Sequence, residues 1–155
     1  MNGVKIRPVR YDSLVAQALV AAAMAELGAR YGGTGDETPI WSYEFEPPHG
    51  TFLVASLDGE AVGCGGWRSF GDDGKVAELK RMYTAPAARR RGVARRLLAA
   101  IEESARRHGR RRMILETGDR QPEAVKLYLA AGYQRIDDFG FYRDAPGVIS
   151  LGRDL

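Results

Sequence analysis

Cysteine is all but absent: Cys64 is the only one in 155 residues. An intramolecular disulfide and a cysteine zinc cluster are therefore excluded. Histidine is nearly as scarce, with His49 and His108 alone, so the expectation is no metal site. No apolar run approaches the ~18 residues of a membrane span. The N-terminal MNGVKIRPVRYD is charged and lacks the apolar core of a signal peptide. A soluble, reducing, cytoplasmic setting is the resulting default, with no membrane partner. What is present is a globular composition, 45% hydrophobic and 28% charged. The length fits one domain over residues 1–155, enough to bury ~68–70% of its unfolded-chain surface.

Acidic residues are missing from one region in particular. Between Lys80 and Arg112, twelve Lys and Arg stand against two acids, Glu102 and Glu103. That window carries +10, and because the chain totals +3, the remainder carries −7. A basic block in an acidic domain marks a polyanion partner: nucleic acid, a membrane surface or a multiply phosphorylated cofactor. Arg outnumbers Lys 19 to 4, so a solvated, compositionally biased helix face is the plainer alternative.

Periodicity orders the elements. Val4 to Arg10 alternates as a first strand, with Pro8 pointing to a sheet edge. Asp12 or Ser13 can cap a helix over Leu14 to Leu27. From Gly28 the stretch GARYGGTGDETP reads as loop, and Ile40 to Pro48 as irregular or briefly helical. Thr51 to Leu57, the turn Asp58-Gly59 and Glu60 to Phe70 form a hairpin. A second turn, Gly71 to Gly74, leads to a strand over Val76 to Thr84. A helix is expected over Arg91 to His108, ended by Gly109, with Val93, Leu97, Leu98 and Ile101 on one face. Met113 to Glu116 reads as a buried strand, Pro122 to Ala131 as a helix, and Tyr133 to Ile136 and Val148 to Leu155 as closing strands. This order predicts an α/β fold: a mixed, mostly antiparallel central sheet with helices on both faces.

The segment Arg89-Arg90-Arg91-Gly92-Val93-Ala94 follows a strand and opens a helix. A helix start offers unpaired N–H groups and the positive end of the dipole. Gly92 frees space there and Ala94 is small, so the segment suits a pyrophosphate. RRRGVA fits the R/Q-x-x-G-x-G/A acetyl-CoA signature, and the chain here resembles the GNAT superfamily of N-acetyltransferases. The likeness runs from AELKRMYTAP through LETGDRQPEAVKLYLAAGY, about Ala77 to Tyr133. The sequence departs from the pattern at Ala94, where many members have Gly, and at Gln121, where many have Asn.

The resemblance implies transfer of an acetyl group from acetyl-CoA to an amine within one ternary complex. It implies cofactor contacts from Met82, Tyr83 and Thr84, where the family's central strand bulges, from Arg89, Arg90, Arg91, Gly92, Val93, Ala94 and Arg95, and from Gln121. Such chemistry needs a base for the amine, a donor for the developing oxyanion and an acid for the thiolate. Glu78, fourteen positions before Gly92, is the candidate base, directly or through a water. An ion pair with Lys80 is its plainer reading, and Glu116 on the adjacent strand is its rival. Tyr128, in the Leu-Tyr pair of the last helix, is the candidate acid, with a core aromatic as the plainer reading. Gly63, Gly65 and Gly66 in one strand permit a bulge or a close ligand.

The expected acceptor is a primary amine of a small molecule, with Ile40 to Gly50 as its wall. The alternatives are a protein N-terminus or lysine, an Arg-rich nucleic-acid module, and a non-catalytic CoA-binding protein. The basic block carries few aromatics and no helix-turn-helix, RNP or zinc pattern, which weighs against nucleic acid. A homodimer is compatible with all of these.

Overall fold

Two local signals start the fold. Ser13 caps the first helix, its hydroxyl accepting from the N–H of Ala16 at 3.3 Å. Asp58-Gly59 turns the chain with φ of 53° and 85°, the left-handed pair that a tight hairpin requires. The computed structural model describes residues 3–155. Its strands are β1 (Val4–Pro8), β2 (Gly50–Leu57), β3 (Glu60–Phe70), β4 (Val76–Thr84), β5 (Arg112–Gly118), β6 (Gln134–Arg135) and β7 (Val148–Asp154). Its helices are α1 (Leu14–Tyr31), α2 (Val93–Arg107) and α3 (Pro122–Ala130), with short 3-10 turns at Ser42–Phe45 and Pro86–Ala88.

The strands form one sheet in the order β1-β2-β3-β4-β5-β7-β6. Only β4 and β5 run parallel; every other pairing is antiparallel. The mixed, mostly antiparallel sheet is thus as expected, with β1 at one edge as Pro8 requires.

Two cores cover the two faces. Leu97, Leu98 and Ile101 of α2 and Tyr128 of α3 pack with Leu79, Trp67 and Leu115 of the sheet. Trp67 is fully buried there and its indole N–H donates to Ser104 Oγ of α2 at 3.0 Å. On the opposite face, Ala16, Leu19 and Val20 of α1 pack against Phe45, Phe52, Val54 and Cys64. Alternation along the strands feeds both cores, which is why the strands read as nearly continuous apolar runs. No described helix is long and apolar enough to cross a membrane.

Several boundaries differ from the sequence reading, three of them at the elements that shape the site. α1 runs one turn further, to Tyr31, because Gly28 stays helical; the bend comes at Gly32, with φ of 82°. α2 begins at Val93 rather than Arg91, since Gly92 itself is left-handed, with φ of 78°. β5 extends to Gly118, paired along its length with β7.

Candidate active site

The parallel pair sets up the site. β4 and β5 pair only where Val76–Glu78 meets Arg112–Ile114. Beyond Glu78 the strands part, and backbone groups that would have faced the neighbouring strand line an opening instead. The resulting cleft holds about 390 Å³, within the usual range for a small-molecule site. Its walls come from Leu79 to Met82 of β4, Leu115 to Gly118 of β5, Tyr128 of α3 and Gln121 just before it, and the C-terminal half of α1.

On its other edge β4 carries a bulge. Gly66 pairs with Lys80 and Cys64 with Tyr83, so Gly65 alone stands opposite Arg81 and Met82. Arg81 takes the left-handed φ of 61°. Met82 consequently packs on the α2 side and Tyr83 on the α1 side. A Cβ at Gly65 would lie 2.9 Å from Ile101 Cδ1 and 3.0 Å from Met82 Sδ. The glycines of β3 therefore leave room for the bulge, which begins at Arg81, one residue before the expected Met82–Thr84 segment.

Gly92 forms the N-cap of α2, and its helix start presents the amides of Val93 and Ala94. A Cβ at Gly92 would meet nothing within 4 Å. Gly is needed here for its positive φ as well as for any ligand's approach. Among the described residues, the side chains of Arg90, Arg91 and Arg95 make no ion pair or hydrogen bond, so their charge is free for an anion. Arg89 differs. Its guanidinium grips Glu26 of α1 at 2.7 and 2.8 Å and donates to the Thr84 carbonyl at 2.9 Å. Its Nε and Nη2 are thereby committed to tying α1 to the end of β4. Free pyrophosphate-binding groups thus exist at this helix start, and the residues present fit a CoA-type anion.

The two candidate bases separate clearly. Glu78 is buried and accepts from Arg68 Nε at 3.0 Å. It does not line the cleft, and its ion-pair partner is Arg68 rather than Lys80. Glu116 does line the cleft. Desolvation, with a smaller contribution from the charge of Glu78, raises its pKa above the ordinary carboxylate value, against the opposing charge of Lys80. The backbone N–H of Tyr142 donates to it at 3.1 Å, and a Cβ at Gly140 would crowd it at 2.8 Å. The loop after β6 thus fixes this carboxylate. Sequence reasoning could rank the two glutamates only by spacing, since the parting of the strands decides which one faces the opening.

Tyr128 is 5% exposed and reaches the cleft wall. Burial pushes its hydroxyl well above the usual tyrosine pKa, so it carries its proton at neutral pH. Gln121 stands just before α3 and its amide lies 3.4 Å from the Tyr31 hydroxyl.

The expected acceptor wall over Ile40 to Gly50 does not line this cleft. Of the expected wall over Ile40 to Gly50, Phe45 is buried in the α1 core, while Trp41 and Tyr43 are 68% and 58% exposed away from the cleft. The opening is instead flanked by Gly32 to Glu37 and by Tyr142 to Val148. These segments meet where the Glu37 N–H donates to Tyr142 Oη at 2.7 Å. Neither was singled out from sequence, because both are loops without periodicity.

The sequence profile of the Acetyltransferase (GNAT) family matches residues 16–133. A relative in Azospirillum brasilense, named IAA acetyltransferase, is 39% identical over 104 residues, covering 67% of each chain. A Klebsiella pneumoniae protein crystallised as a candidate acyl-CoA N-acyltransferase matches with a TM-score of 0.80 at 30% identity, over 98% of this chain and 97% of its own. A GNAT family acetyltransferase of Elizabethkingia anophelis, crystallised with acetyl-CoA bound, shares the fold with a TM-score of 0.71 at 18% identity, over 100% of both chains. The chain belongs to the GNAT family. It is an acetyl-CoA-dependent N-acetyltransferase, and acetyl-CoA is its acetyl donor.

Proposed function

We propose that this enzyme acetylates a primary amine of a small molecule by direct transfer, with Glu116 as general base and Tyr128 as general acid. The observation that carries the reading is the fork between β4 and β5. One cleft there is lined both by a carboxylate with a raised pKa and by a buried, protonated tyrosine. Glu116 takes a proton from the incoming ammonium, directly or through a water. The neutral nitrogen attacks the thioester carbonyl carbon and the C–S bond breaks. Tyr128 gives its proton to the departing thiolate, and the second proton, shed by the new amide nitrogen, returns to Tyr128 through solvent. Backbone N–H groups at the Arg81–Met82 bulge receive the charge developing on the carbonyl oxygen. The amides of Val93 and Ala94, with Arg90, Arg91 and Arg95, hold the pyrophosphate at the start of α2. Gln121, Tyr83 and Thr84 flank the pantetheine arm.

A small acceptor is favoured over a protein chain because the Glu37–Tyr142 contact bridges the acceptor side. An extended peptide needs an open groove, and the bridge interrupts it. The name of the Azospirillum relative also points to a small molecule. Nucleic acid is disfavoured because part of the basic window is paired internally: Lys80 and Arg81 share Asp36, Arg89 pairs with Glu26 and Arg112 with Asp154. The test offers acetyl-CoA with a panel of small primary amines and, separately, with peptides bearing a free N-terminus or lysine. Free thiol released in step with an acetylated small amine is expected. Preferential acetylation of the peptides would contradict the reading.

A further inference from the structure

Asp36 belongs to the loop between α1 and β2, far in sequence from the bulge, yet it binds Arg81, the first bulge residue, and Lys80 just before it. Its Oδ2 lies 2.9 Å from Lys80 Nζ and 2.5 Å from Arg81 Nη1. Successive strand residues normally point to opposite faces. Lys80 and Arg81 reach the same carboxylate only because Arg81 is left-handed, with φ of 61°. A regular β4 would send Arg81 toward α2, where Leu79 and Met82 lie, and would break this pairing.

The surroundings complete the clamp. Thr38 donates to Asp36 Oδ1 from its hydroxyl at 2.6 Å and from its backbone N–H at 2.9 Å. The same hydroxyl accepts from Lys80 Nζ at 3.0 Å, and the Thr38 carbonyl accepts from Arg81 Nη2 at 3.3 Å. Arg81 Nε reaches Tyr11 Oη at 3.3 Å. The side chains of Lys80 and Arg81 are only 5% and 7% exposed. Burial opposes ionisation of Asp36, but the charges of Lys80 and Arg81 and the Thr38 hydroxyl hold its carboxyl well below the usual range. Two buried cations on one carboxylate make removal of that carboxylate costly, since it leaves charge buried without a partner.

We infer that Asp36 is a positioning residue for acetyl transfer: its carboxylate holds Lys80 and Arg81 on one face and so keeps the β4 bulge, whose backbone N–H groups face the thioester oxygen. A left-handed non-glycine residue is strained and persists only where its surroundings enforce it. The Asp36 clamp is the enforcing contact. It also anchors the loop that reaches Tyr142 through Glu37, so the acceptor flank and the oxyanion donors are set by one group.

The inference rests on the proposed transfer mechanism, and its test separates the two. Acetyl-CoA labelled with carbon-13 at the carbonyl is bound to wild-type protein and to Asp36→Asn. The carbonyl stretch is read by isotope-edited infrared spectroscopy beside kcat and acetyl-CoA Kd. In wild type the band is expected at lower frequency than in solution, because N–H donors polarise it. In Asp36→Asn the band is expected to move back toward its solution position and kcat to fall at least ~10-fold, with Kd within ~3-fold. An unchanged band and kcat, with only a lower Tm, would overturn the inference. If Asp36→Asn does not fold, Thr38→Val removes the bridging hydroxyl and keeps every charge. The same shifts at smaller amplitude support the inference, and an unchanged band overturns it. Wild-type protein that binds acetyl-CoA without a band shift overturns the bulge's role alone. Wild-type protein that binds no acetyl-CoA overturns the transfer mechanism itself.

Discussion

The proposed acid and base, Tyr128 and Glu116, have opposite requirements, and their surroundings suit both. Burial keeps the Tyr128 proton in place, so replacing the hydroxyl isolates its chemistry. Tyr128→Phe keeps the ring and is expected to lower kcat by ~10²–10⁴-fold with acetyl-CoA affinity unchanged, as steady-state rates beside calorimetry would show. Wild-type turnover in that variant would reduce Tyr128 to packing. Glu116 must lose its proton to act, and its pKa is raised by burial. The rate should therefore climb with pH along an acid limb lying above the ordinary glutamate value of about 4.3. Because the folded state holds that proton more tightly than the unfolded chain, Glu116 costs stability as pH rises through its folded pKa. Glu116→Gln should thus abolish the acid limb and most of the rate while leaving Tm at neutral pH equal or higher. A pH–rate profile and a melting curve check both halves. The Leu-Tyr pair in its helix singled out Tyr128 from sequence, and the structure puts it on the cleft wall. Glu116 was legible only as a rival, since the spacing that favoured Glu78 says nothing of the Arg68 side chain that occupies it.

The elements that carry the site are the diverging pair β4 and β5 and the start of α2. Both strands and the helix were readable from periodicity, Asp-Gly and the run Arg-Gly-Val-Ala. The parting of β4 from β5 was not, because strand separation depends on partners distant in sequence. Gly63, Gly65 and Gly66 did signal a bulge, though they could not say which side of the ladder held the extra residue. At the start of α2, Gly92 combines a left-handed backbone with the proposed anion cradle. Gly92→Ala should weaken the helix start by roughly 1 kcal/mol, through strain at positive φ. Gly92→Glu adds a charge at the pyrophosphate and should weaken acetyl-CoA binding at least ~10-fold, about 1.4 kcal/mol. Calorimetry on the two variants separates backbone strain from charge. Equal affinities in Gly92→Glu and wild type would move the cofactor elsewhere.

Across the whole molecule, one sheet divides two cores, and the charges largely cancel across elements. The +10 window read from sequence suggested a broad basic surface. In the fold Lys80, Arg81 and Arg89 turn toward acids of α1 and the following loop, while Arg90, Arg91 and Arg95 stay unpaired at the start of α2. Composition alone cannot show this, since pairing is a tertiary property. The core under α2 supports that helix start from below. Ile101 is fully buried at the bulge glycine, so Ile101→Ala should cost about 2–5 kcal/mol. At ~2–4 °C per kcal/mol for a domain of this size, a melting curve resolves it readily. The central claim is that one cleft holds donor and acceptor together and passes the acetyl group directly between them. It is tested most directly by initial rates at crossed concentrations of acetyl-CoA and a verified small amine. Intersecting double-reciprocal lines are expected, as a ternary complex requires. Parallel lines, the mark of an acetylated enzyme formed before the amine binds, would contradict it.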